Sequence, residues 1–260
     1  MPTREIRLAD HTTLIDDEGG GSEPVILLHA LGLDRAMWRG VVEALGGVRR
    51  TIAYDLRSNG RGASAPAGDL THYASDLSDL LDSLGLSAAH IVGVSMGGAV
   101  AMTFAGVFPE RTLSLTLLCA PAKGLAAFAE RGSAALEAGM TAQLEPTLQR
   151  WFSEPDSVGK DALAYAAERL LANTAQGWAA NWTALAGFAP TVVSSDIPVT
   201  LVAGSDDLST PPDHMRGLFE YCPGAAFHVI EGGHHMLVLE RPIEVARLVE
   251  KATGQGRAAR

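Results

Sequence analysis

Short runs of apolar residues recur along the chain: Val25-Ile26-Leu27-Leu28, Thr51 to Tyr54, Ile91 to Val94, Leu113 to Cys119, Val199 to Ala203 and Phe227 to Ile230. A run that is apolar throughout, rather than alternating, suits a strand buried on both faces, as in a parallel sheet covered by helices. Ahead of these runs, Arg4 to Asp16 alternates loosely around Asp10-His11 and reads as a β-hairpin, and Asp17 to Glu23 reads as a Gly-rich turn. Helical spacing falls between the runs. After Thr71, the residues Tyr73, Leu77, Leu80, Leu81 and Leu84 share one helical face, Asp76, Asp79 and Asp82 take the other, and Gly85 supplies a stop. Strand alternating with helix predicts an α/β fold with a mostly parallel sheet.

The alternation breaks between Ala120 and Pro190, where four helix-like segments follow one another without a strand. Trp151, Trp178 and Trp182 lie here, three of the four tryptophans in the chain, and Trp178, Trp182 and Leu185 form one helical stripe. The break divides the chain into a core, residues 1–120 and 191–260, and a helical cap, residues 121–190, inserted after the sixth strand. The tryptophans glue cap to core, and the junction is the expected place for a ligand pocket.

Composition narrows the partners. With 260 residues, 47% hydrophobic and 19% charged, the chain can bury a self-sufficient core and is not a disordered segment. Its formal net charge of −10 makes nucleic acid and anionic membrane poor partners. No apolar run reaches the roughly 18 residues of a membrane span. Two cysteines, Cys119 and Cys222, give no disulfide framework, and the opening MPTREIRLAD shows no hydrophobic leader. The expected location is therefore the cytoplasm. Oligomeric state is left open.

Gly93-Val94-Ser95-Met96-Gly97 matches G-x-S-x-G between a strand-like and a helix-like run. That is the setting of a nucleophile elbow, a strained turn that lifts a serine hydroxyl above the sheet. The flanking residues are small because side chains there would meet the neighbouring strand and helix, and Gly98 adds room for close helix packing. A serine hydroxyl is a weak nucleophile until a base takes its proton. Further along, Gly204-Ser205-Asp206-Asp207 follows one strand and Glu231-Gly232-Gly233-His234-His235 follows the next. Each lies past the carboxyl end of a strand, where catalytic groups of open α/β sheets collect. The order Ser, Asp, His is that of an elbow-based triad. The backbone N–H of Met96, next after the serine, is the expected first donor to the oxyanion. The adjacent histidines lack the Cys/His spacing of a metal site, so no metal and no cofactor are expected.

With these residues in place, the chain resembles the serine hydrolases of the α/β-hydrolase superfamily over nearly its whole length. The resemblance includes His29-Ala30-Leu31-Gly32, the loop Asp55 to Arg61, the elbow, Gly204-x-x-Asp207 and the ending His-x-x-x-x-Glu-Arg-Pro at Pro242. In the cap, Glu130-Arg131, Gly139-Met140 and Arg150-Trp151-Phe152 look most like the 3-oxoadipate enol-lactonases. The resemblance implies an α/β-hydrolase fold with Ser95 as nucleophile, Asp207 rather than Asp206 as the acid, and His235, five residues before Glu240, as the base. It implies Leu31 as the second oxyanion donor. His29 shapes that loop, and Cys119 is a small core residue. Three departures stand out: His234 replaces the glycine usual before the catalytic histidine, Ala30 replaces a glycine after His29, and Ser58-Asn59 replaces a Gly-His pair. Asn59 tolerates a left-handed backbone, so it is the residue expected to preserve that turn.

The function so implied is hydrolysis of a small ester or lactone through an acyl-enzyme. Other carboxylesterase, C–C bond hydrolase, cofactor-free haloperoxidase or perhydrolase chemistry can run on the same triad. A small-molecule receptor that uses the fold without turnover is a further alternative. In an enol-lactonase-like pocket, Arg131 is the candidate to hold a substrate carboxylate and Trp151 the candidate apolar wall. A solvated surface position is the competing reading of Arg131.

Overall fold

The computed structural model describes residues 2–21, 23–59, 68–152 and 159–255. Eight strands form one sheet: β1 (Thr3–Arg7), β2 (Thr12–Glu18), β3 (Val25–Leu28), β4 (Thr51–Tyr54), β5 (Ala89–Val94), β6 (Thr112–Leu118), β7 (Val199–Gly204) and β8 (Ala226–Ile230). Their spatial order is β1-β2-β4-β3-β5-β6-β7-β8. The hairpin β1–β2 is antiparallel, and β2 meets β4 antiparallel. Every later pairing is parallel. All residues of β3, β4, β5 and β7 are buried, as their unbroken apolar runs require.

Helix α1 (Arg39–Leu45) packs against the C-terminal helix, and α2 (Leu70–Ser83) packs against α3 (Met96–Val107). In α2 the stripe Tyr73, Leu77, Leu80 and Leu81 is buried. Asp76, expected on the solvent side, is buried as well. It lies beside Tyr73 and Leu77 on the edge of the stripe, and Arg57 reaches it with two hydrogen bonds, from Nε at 2.6 Å and from Nη2 at 2.5 Å. A buried carboxylate is tolerable only with such a partner. Asp82 does face outward, bound to Arg111 at 2.7 Å.

Between β6 and β7 run α4 (Ala126–Phe152), α5 (Lys160–Ala172) and α6 (Ala175–Ala186). Helix α4 is broken at Gly139, whose φ of 77° and ψ of 171° leave the helical region, so the insertion has four helical segments. Trp178 and Trp182 meet edge to face, and Phe128 of α4 packs on Trp182. The chain ends with α7 (Pro212–Arg216), α8 (Leu237–Glu240) and α9 (Pro242–Gln255), the last being the partner of α1. No helix among the described residues is long and apolar enough to cross a membrane.

Candidate active site

The elbow follows from close approach. A Cβ on Gly93 would lie 2.2 Å from the carbonyl oxygen of Gly97, and one on Gly97 would lie 2.3 Å from that of Leu28. No side chain fits either gap. Ser95 between them is held at φ 54°, ψ −118°, a strained conformation for a non-glycine residue. Its N–H donates to Leu118 O at 2.9 Å and its carbonyl accepts from Gly98 N–H at 2.9 Å, so the strain is fixed from both sides.

The loops after β7 and β8 converge on this serine. His235 Nε2 lies 3.0 Å from Ser95 Oγ, and His235 Nδ1 lies 2.8 Å from Asp207 Oδ2. Asp207 is buried and is well supplied with donors. Its Oδ1 accepts from the N–H of Ser209 at 2.7 Å and of Thr210 at 2.9 Å. Burial would raise the Asp207 pKa, but the charge and hydrogen bond of His235, with the Thr210 amide and hydroxyl, outweigh it and lower it to about 2. Asp207 is thus an anion that orients the imidazole.

The neighbours are placed elsewhere. Asp206 is exposed and accepts from Ser205 Oγ at 2.7 Å. His234 turns away from Ser95 and faces Glu240, with Nδ1 at 2.9 Å from Oε1 and the backbone N–H donating to Oε2 at 3.1 Å. The side chain that replaces the usual glycine therefore anchors the histidine loop to α8. Cys119 lies within 4.8 Å of Asp207 and His235 in an arrangement that could ligate a metal. Both nitrogens of His235 are already engaged, however, and burial pushes the Cys119 thiol well up, which keeps it protonated.

Leu31 lines the same cavity as Ser95 and His235. The amides on either side of it are committed: Ala30 N–H donates to Met37 Sδ at 3.4 Å and Gly32 N–H to Asn59 Oδ1 at 3.1 Å. Positive φ falls on Gly32, at 80°, rather than on Ala30, so alanine fits where the family has glycine. His29 is fully buried and bridges its own loop to the next, with Nδ1 against Ala30 O at 2.8 Å and Nε2 accepting from Leu56 N–H at 2.9 Å. In the following loop the left-handed residue is Ser58, at φ 62°, and not Asn59 as expected. The polar side chain of Asn59 does different work: its Oδ1 also accepts from Asn181 Nδ2 of α6 at 3.2 Å, and its Nδ2 donates to Arg57 O at 3.0 Å. Gly60, Arg61 and Gly62 lie outside the described residues.

A small cavity lies above Ser95 and is partly open to solvent. Its walls include Phe128, Arg131, Arg150, Trp151, Trp182 and Leu185 from the insertion. Arg131 is not a solvated surface residue: its guanidinium lies 5.0 Å from the Trp182 ring centre and 5.4 Å from that of Phe128. Arg150, which the sequence shows only as part of the Arg150-Trp151-Phe152 motif, also enters the site. It reaches the cavity with its guanidinium braced by Pro146 O at 2.8 Å and Thr147 Oγ1 at 3.0 Å. Burial lowers the pKa of both arginines, and the charge of Arg131 helps bring Arg150 to about 10. Neither has a carboxylate partner among the described residues. Elsewhere, buried Arg57 pairs with Asp76, and half-buried Arg35 and Arg169 pair with Asp16 and Asp55 and with Asp34.

Comparison with known proteins places this geometry in a family. The pattern of the alpha/beta hydrolase fold matches residues 23–242. The chain belongs to the alpha/beta hydrolase family and is a hydrolase by that membership. It is 32% identical over 233 residues to 3-oxoadipate enol-lactonase 1 of Acinetobacter baylyi, covering 86% of each chain. In structure it resembles a thermophilic esterase from Thermogutta terrifontis, with a TM-score of 0.88 at 24% identity over 98% of this chain and 99% of that one. It also resembles the enol-lactonase from Burkholderia xenovorans LB400, with a TM-score of 0.87 at 23% identity over 96% and 100%. At these identities the structural likenesses speak for the fold.

Proposed function

We propose that this chain is a serine hydrolase that opens a small lactone, or cleaves a small ester, carrying a carboxylate away from the reacting carbonyl. The hydrogen-bonded line Ser95–His235–Asp207 carries the reading. Ser95 Oγ attacks the carbonyl carbon while His235 Nε2 takes its proton. The oxyanion is held by the N–H groups of Met96 and Leu31. As the intermediate collapses, the acyl C–O bond breaks and His235 returns the proton to the leaving oxygen. Water, deprotonated by His235, then releases the acyl group and restores Ser95. In an enol-lactone the leaving enol tautomerises to a ketone.

Two cavity arginines with no carboxylate partner among the described residues support the acidic substrate. In a chain of net charge −10, long-range steering does not favour an anion, so the attraction has to be local. Arg131 and Arg150 supply it, and Trp151 with Phe128 supplies apolar wall for the remainder of a small molecule. The similarity to an enol-lactonase over most of both chains agrees with such a substrate. The test is a turnover screen of purified protein with carboxylated lactones, their methyl esters and neutral p-nitrophenyl esters. A fluorophosphonate probe should label Ser95. Steady turnover with preference for the carboxylated lactone is expected. Preference for longer neutral esters would overturn the substrate, and labelling without turnover would indicate a receptor.

A further inference from the structure

Helix α4 carries both cavity arginines, one on each side of its break: Arg131 precedes Gly139 and Arg150 follows it. Among the described residues nothing lies within 4 Å of the position a Cβ would take on Gly139, so there the two segments are joined through a glycine in open space. Two desolvated guanidiniums facing one cavity repel each other, and an anion between them attracts both.

The second segment of α4 ends on the catalytic loops. Trp151 O accepts the backbone N–H of His235 at 3.0 Å. Arg150 O accepts from Ser209 Oγ at 3.4 Å, and Ser209 N–H in turn donates to Asp207 Oδ1 at 2.7 Å. Arg150 is bound to the same turn through Pro146 and Thr147. The residue that presents charge to the cavity is thus built into the turn that holds the loops of the base and the acid.

We infer that the last turn of α4 couples anion binding to triad alignment. A carboxylate seated between Arg131 and Arg150 ties the two segments of α4 to each other and holds His235 and Asp207 in the alignment against Ser95 that their hydrogen bonds already describe. This rests on the carboxylated-substrate reading and goes beyond it: the carboxylate then acts on turnover and not only on binding. A remote group raises kcat only where its interaction is stronger in the transition state than in the bound ground state. A ligand aligns the triad only as far as it binds the aligned state better.

The experiment measures kcat and KM separately for a carboxylated lactone and its methyl ester, in the wild type, Arg150→Ala and Arg150→Lys. The reacting bond is the same in both substrates, and the carboxylate stays attached through both steps. Wild type should turn over the acid with a kcat about tenfold above the ester. Arg150→Ala should equalise the two kcat values, and Arg150→Lys should restore part of the difference. A second readout needs no turnover. In Ser95→Ala, the downfield proton resonance of His235 Nδ1 should shift or sharpen on addition of formate, and the response should vanish in Ser95→Ala/Arg150→Ala. An acid preference residing wholly in KM, with a His235 signal indifferent to formate, overturns the coupling and leaves the carboxylate reading standing. Absence of any acid preference removes that reading and the coupling with it.

Discussion

Ser95 Oγ is the hydroxyl that faces His235 Nε2, at 3.0 Å, so Ser95→Ala should lower kcat by on the order of 10⁴-fold or more and abolish fluorophosphonate labelling. A thermal unfolding curve on the same preparation separates loss of chemistry from loss of fold. The adjacent pairs make a sharper experiment. His235→Ala and Asp207→Asn should cripple turnover, because they remove the group at 3.0 Å from Ser95 Oγ and the anion at 2.8 Å from the imidazole. Asp206→Asn should retain most activity, since Asp206 is exposed and bonded to Ser205. His234→Ala should stay active with reduced thermal stability, having lost its tie to Glu240. A dead His234→Ala with an active His235→Ala would reverse the assignment of the base. Residue types and their order along the chain are legible in the sequence because each follows a strand end. Arg150 is not legible as a site residue, because the break at Gly139 makes helical phase useless for relating it to Arg131. The burial of Asp76 is not legible either, because Arg57, its partner, is remote in sequence.

At the level of elements, contacts between loops govern how well the site is held. The loop around Leu31 is bound from two directions. Asn59 accepts from Gly32 N–H and from Asn181 of α6, and Asn173 donates to Gly32 O at 2.9 Å. Asp34, at the end of that loop, accepts from Tyr165 of α5 at 2.7 Å. Asn59→Ala leaves a buried amide and the Asn181 side chain short of an acceptor, a cost of roughly 1–3 kcal/mol. Chemical denaturation should register that loss. Affinity for a boronic acid that mimics the oxyanion should fall more than affinity for an uncharged ground-state analogue. Equal losses for the two ligands would mean that Asn59 serves stability alone. The sequence marked Ser58-Asn59 as a departure but assigned the left-handed backbone to the wrong member. Propensity favours Asn there, and tertiary bonds have instead taken the Asn59 side chain and put Ser58 at positive φ.

Across the whole molecule, the parallel sheet and the helical stretch after β6 are legible because strands buried on both faces cannot hide their apolar composition. The order β1-β2-β4-β3-β5 is not, since it depends on which crossovers pack and not on any local pattern. Burial also gives the whole fold an acid dependence that can be assigned a sign. Asp207 is lowered from 3.8 to about 2 in the folded chain. Between those values the unfolded chain binds the extra proton, so stability rises with pH. The contribution is fully present above the unfolded value and is lost as pH falls through the folded one. It amounts to about 2 kcal/mol at neutral pH. Burial raises Asp55 and Glu240, whose titration acts in the opposite sense at higher pH. Other lowered carboxylates, such as Asp10 and Asp17, add slopes of their own. The difference between wild type and Asp207→Asn cancels these common parts. Urea unfolding from about pH 5 down to pH 2 should show the wild type losing about 2 kcal/mol more than Asp207→Asn over that range. Parallel curves would mean that the Asp207–His235 bond orients the imidazole without stabilising the fold.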